Sequence, residues 1–113
     1  MNKFFDNKYI DDINVNFQDN YFSPILEYCM KKYSPEYICD IGCGNGNFSG
    51  FLKEKYNCNL IGIDGSKYAL DKAKIFNYDE LILSGDFSSE KLQIKKNSLD
   101  FVICKDVLEH LIK

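Results

Sequence analysis

Ile38-Cys39-Asp40-Ile41-Gly42-Cys43-Gly44-Asn45-Gly46 decides how this chain folds. The apolar run 37–41 carries an acid next to its end, and three glycines follow at alternate positions. A short apolar run that breaks into glycines reads as a buried strand entering a tight turn. Without a Cβ such a turn accepts positive φ and lets a ligand rest against bare main chain. Ligands of open α/β sheets bind outside the carboxyl ends of strands, which is where this turn falls.

The neighbouring segments support that reading. Upstream, Ser23-Pro24 marks a helix start, with Leu26, Cys29, Met30 and Tyr33 on one stripe and Ser34-Pro35 as its end. Downstream, Phe48, Phe51, Leu52 and Tyr56 share a helical face, with Asn47 as cap. A second strand is expected over 59–64, then a helix capped by Ser66 that turns Ala69, Leu70, Ala73 and Phe76 inward. A third strand is expected over 80–83, a polar loop over 87–98, a fourth strand over 99–104 and a helix over 106–112. Strands alternating with helices imply an α/β fold, a doubly wound parallel sheet of about four strands joined by right-handed crossovers. Residues 1–20 show no clean period and read as an irregular N-terminal segment, with the domain proper over 21–113.

Composition limits the function. At 113 residues there is room for one domain with one core. The formal net charge is −3, and all 14 basic residues are lysines. With no arginine to grip phosphate or guanine, and with lysines scattered among acids, nucleic acid is a poor principal partner. No apolar run reaches the length of a membrane helix and no signal-peptide core opens the chain, so a cytoplasmic protein is expected. The five cysteines, an odd number with no Cys-x-x-Cys, read as reduced thiols packed as small hydrophobes.

The loop separates two nucleoside-binding possibilities. A dinucleotide fingerprint, Gly-x-Gly-x-x-Gly, would put its third glycine at position 47, where this chain has Asn47. The third glycine comes one residue early, at Gly46, and Asp40 suits a ligand with an ammonium group better than a diphosphate. Asp40-Ile41-Gly42-Cys43-Gly44-Asn45-Gly46 resembles the first motif of class I S-adenosylmethionine-dependent methyltransferases. Leu60-Ile61-Gly62-Ile63-Asp64-Gly65-Ser66 resembles the second-strand motif, and Ser84-Gly85-Asp86-Phe87 the third. The stretch 99–111, ending Asp106-Val107-Leu108-Glu109-His110-Leu111, resembles the fourth strand and its helix in the subgroup acting on small molecules.

That resemblance implies a Rossmann-like fold, S-adenosylmethionine as cofactor and a small-molecule methyl acceptor. It places the methionyl part of the cofactor against Gly42 and Gly44, with Cys43 and Gly46 as further cofactor-binding residues of the loop and Asp40 drawing the ammonium group. Asp64, 22 positions beyond Gly42, would accept from both ribose hydroxyls. Asp86 would take the adenine amino group, the Phe87 backbone would read the ring edge, and the Lys105 backbone would lie beside the methionine amine. Gly65 departs from the family, which commonly has an apolar side chain there against adenine, so Phe87 or Leu83 would supply that contact.

The only histidine, His110, reads first as a signature of the fold or as lining of the acceptor pocket. As the candidate catalytic residue it would act as general base, since an imidazole titrating near neutrality takes a proton from an acceptor hydroxyl. Asp106, Glu109 and His110 would share a helical face, but no further ligands complete a metal site, so none is assigned. The family sheet normally continues for three more strands, and this chain reads as its cofactor-binding portion. On that expectation strand four has an open edge, inviting self-association or a protein partner. The alternative function is a non-catalytic S-adenosylmethionine-binding fragment or interaction module.

Overall fold

The computed structural model describes residues 23–85 and 98–104. Helix α1 (Ser23–Tyr33) leads into β1 (Tyr37–Ile41), α2 (Leu52–Lys55) and β2 (Asn59–Asp64). Helix α3 (Lys67–Ala73), β3 (Glu80–Leu83) and β4 (Phe101–Ile103) follow. The strands form one sheet in the order β3-β2-β1-β4, every neighbouring pair parallel. The chain steps outward from β1 to β3 and then returns to the far side of β1. That reversal makes the gap between β1 and β4 the topological switch point, where doubly wound sheets bind ligands. The expected fold class, a Rossmann-like doubly wound parallel sheet, is the one observed.

Strand alternation divides the core between two faces. Ile38, Leu60 and Ile103 meet Leu26 and Met30 of α1 and Leu52 of α2 on one face. Cys39 and Ile63 form the centre of the other, with Ile41, Ile61, Ile82 and Leu99 around them. Asp40 is two residues beyond Ile38 and therefore shares the helix-packed face. In register it lies between Gly62 of β2 and Ile103 of β4.

The first three strands have the bounds read from sequence, but β4 is shorter than the expected 99–104. The Asp100 carboxylate accepts from the Glu36 and Tyr37 backbone N–H groups, 3.0 Å each, and its own N–H donates to Tyr37 O at 2.8 Å, so Asp100 anchors the start of the pairing and the strand proper begins at Phe101. Tyr33 departs from the inward stripe of α1 and is exposed. It ends the helix where the chain reverses through Ser34 in a left-handed conformation (φ +44°), whose N–H reaches Met30 O at 3.0 Å.

The larger correction lies after the glycine turn. The helix expected there is reduced to Leu52–Lys55, and Asn47 caps nothing: its own N–H donates to Asn45 Oδ1 at 3.1 Å. Gly46 and Gly50 lie against the Phe76 ring, so neither has space for a Cβ. Two glycines and two asparagines within 45–50 make poor helix, and the close ring contact holds the segment in consecutive turns. Helix α3 follows expectation as far as Ala73, with Ser66 Oγ accepting from Ala69 N at 3.1 Å and Ala69, Leu70 and Ala73 buried, but it ends there, so Phe76, expected on its inner face, falls in the turn beyond it. The expected helix over 106–112, the loop over 87–97 and the segment 1–20 lie outside the described residues.

Candidate functional site

The carboxyl ends of β1 and β2 are joined by the glycine turn. Gly42 N and Cys43 N both donate to Ile63 O, at 2.7 and 2.9 Å. Gly44 N donates to Asp64 Oδ1 at 3.1 Å, and Ser66 N to Asp64 Oδ2 at 3.0 Å. One carboxylate thus fastens the start of α3 to the tip of the turn, and the two backbone amides fix how its fork is aimed. Gly42, Gly44 and Gly46 all have positive φ, at 76°, 60° and 87°. Beside Gly44 the space is open, since a Cβ there would meet nothing within 4 Å.

Two acids are buried here, Asp40 and Asp64, each 3% exposed. Burial raises the Asp64 pKa above its ordinary value, while hydrogen bonds from Ser66, Gly44 and Gly65 pull it back. Burial, and then the negative Asp40, push the Cys39 thiol up to about 12. The Cys43 thiol is driven up by the same causes, with Asp64 adding to them. These thiols stay protonated and serve as packing, as the composition suggested, and all five cysteines are free. Burying two carboxylates beside a backbone turn opposes stability unless hydrogen bonds compensate.

Residues 39–113 match the profile of a family described as "Methyltransferase domain". The chain belongs to that methyltransferase family. Among its relatives, a sphingolipid C9-methyltransferase of Komagataella phaffii (strain GS115) is 30% identical over 118 residues, covering 90% of this chain and 24% of that one. A solved structure of a methyltransferase from Methanococcus maripaludis, described as S-adenosyl-L-methionine-dependent, superposes with a TM-score of 0.71. It is 21% identical, over 96% of this chain and 54% of the other, and shows the fold. The plantazolicin methyltransferase BamL, solved with a triazolic desmethylPZN analogue and SAH, is 27% identical with a TM-score of 0.54, over 69% of this chain and 30% of that one. The chain therefore spans a quarter to about half the length of these relatives.

Within this methyltransferase domain, the structure brings together Asp40, Gly42, Cys43, Gly44, Gly46 and Asp64 at adjoining strand ends. Asp86, Phe87, Lys105 and His110 lie outside the described residues. Leu83 is half-exposed at the end of β3, in register with Asp64. Sequence reading missed the pair beneath the turn: Tyr78 Oη lies 2.7 Å from Ser49 Oγ, with both groups buried. Nothing local signals it, because the two residues stand 29 apart in the chain. Among the described residues no group of three His, Cys, Asp or Glu side chains would hold a metal ion. No helix there is long and apolar enough to cross a membrane.

Proposed function

We propose that this chain carries the S-adenosylmethionine-binding part of an enzyme that methylates a small molecule. The observation that supports it most is the tie from Gly44 N to Asp64 Oδ1, which sets a positive-φ glycine turn and a ribose-binding acid side by side. When bound, S-adenosylmethionine supplies an electrophilic methyl group on a sulfonium centre. Gly44 N and Ser66 N occupy acceptor directions on different Asp64 oxygens, and the carboxylate keeps acceptor capacity to turn toward the ribose hydroxyls. Asp40 attracts the ammonium end, and the open space at Gly44 admits the methionyl chain against backbone. Leu83 offers the apolar contact for adenine that Gly65 lacks.

Beyond these, Asp86 and the Phe87 backbone complete the adenine site, the Lys105 backbone meets the amine, and His110 takes the acceptor's proton. The chain's contribution to rate is then alignment of the two reactants, which can lower a barrier by several kcal/mol, about 7–11 at the upper end. The relatives' names differ, a sphingolipid methyltransferase in one case and a plantazolicin methyltransferase in the other, while both match this portion of the chain. That pattern supports a cofactor-reading role for this portion.

Calorimetry with S-adenosylhomocysteine and with NAD tests the reading. S-adenosylhomocysteine is expected to bind and NAD to give no heat, while Asp64→Ala weakens binding about tenfold or more by removing charge-assisted hydrogen bonds. NAD binding, or silence from S-adenosylhomocysteine, would overturn it. In the complete enzyme, His110→Ala should lower turnover and spare cofactor affinity.

A further inference from the structure

We propose that Tyr78 and Ser49 form a bracket beneath the glycine turn, making Tyr78 a positioning residue for the cofactor. The inference rests on the cofactor reading above and extends it to two residues that lie away from the ligand. The Tyr78 ring lies between the turn and the sheet: a Cβ on Gly46 would sit 3.1 Å from Tyr78 Cε2, and one on Gly62 would sit 2.9 Å from Tyr78 Cε1. Its hydroxyl, at 2.7 Å, meets Ser49 Oγ, on a residue that is 0% exposed.

The contacts run in series from there to the site. Ser49 is adjacent to Gly50, whose N–H donates to Gly46 O at 2.8 Å. Gly46 N donates to Cys43 O at 3.2 Å, and the next residue, Gly44, holds Asp64. A ring with two side-chain torsions, fixed at its far end, sets the height of Gly46 above Gly62 and so the place of the Gly44 amide. Phenylalanine would fill the same volume. The buried hydroxyl is therefore not needed for packing, and it finds its partner on the segment that carries the turn.

Tyr78→Phe and Ser49→Ala, made singly and together in the full chain, test the bracket by S-adenosylhomocysteine titration and by the amide resonances of Gly42, Gly44 and Gly46. Each single change should weaken binding about fivefold, and the double variant should be no weaker than about twofold beyond either single one, as expected of a coupled pair. The three glycine resonances should move in the ligand-free protein. Asp79→Asn, one residue along but bonded to Leu60 and Lys53, should lower the melting temperature and leave affinity unchanged. Affinity of Tyr78→Phe within about twofold of the parent, or unmoved glycine resonances, would overturn the bracket. If the parent chain binds no S-adenosylhomocysteine, the cofactor reading fails by itself, and the resonances still decide whether the bracket sets the turn.

Discussion

Asp64 faces opposing demands. Burial favours its neutral form, while the amides of Ser66, Gly44 and Gly65 favour the carboxylate, and burial is the larger influence. A carboxyl whose folded pKa is raised contributes most to stability below its ordinary pKa, and that contribution is lost as pH rises through the raised value. Hydroxyl donors on a ribose need the ionised form, so affinity should rise over the same window in which stability falls. Titrations and melts from about pH 4 to pH 7 should show both trends in the parent, and Asp64→Asn should lose the rise in affinity. Asp79 has the opposite sign. Lys53, 2.8 Å away, holds its pKa below the ordinary value, so its contribution is present at neutral pH and is lost as pH falls through that lowered value. Asp79→Asn should cost about 0.5–1 kcal/mol at neutral pH, with the difference closing in acid. A gap that persists at low pH would show that the effect is packing.

Among the elements, the glycine turn separates two uses of glycine. Gly44 needs its left-handed backbone but has no neighbour within 4 Å, whereas a Cβ on Gly62 would meet Cys43 Sγ, Leu81 Cδ2 and Tyr78 Cε1, each at 2.9 Å. Gly44→Ala should cost about 1–2 kcal/mol from strain, and, on the cofactor reading proposed above, abolish most binding, because the methyl group would project into the open space beside the turn. Gly62→Ala should cost about 1–3 kcal/mol from overpacking and weaken binding indirectly by lifting the turn. Chemical denaturation beside S-adenosylhomocysteine titration checks both, and equal binding losses at equal stability would contradict the distinction. The short α2 belongs to this scale as well. Sequence periodicity at Phe48, Phe51 and Leu52 indicated a helix, but Phe51 and Phe76 stack edge to face at 5.2 Å and Phe76 occupies the space beside Gly46 and Gly50. Tertiary packing of one ring overrode the local period.

For the molecule as a whole, a ligand that binds only the folded state must stabilise it. At a hundredfold excess over Kd, S-adenosylhomocysteine should add about 2.7 kcal/mol to the unfolding free energy, visible as a raised midpoint in scanning calorimetry. NAD at the same concentration should leave the midpoint unchanged. Strand bounds from β1 to β3, the parallel alternation and the pairing of Asp40 with a glycine turn were all legible from residue order. Each depends on short-range signals: apolar runs four to six residues long, glycine and proline punctuation, and the serine cap at 66. The β4 start, the loss of most of the helix after the turn, and the Tyr78–Ser49 contact came only with tertiary structure. In each of these a side chain far along the chain supplies the deciding contact: Asp100 on Glu36 and Tyr37, Phe76 on Gly46 and Gly50, Tyr78 on Ser49. Local patterns record what a residue prefers, but which distant group fills the space beside it is settled only when the sheet brings the two together.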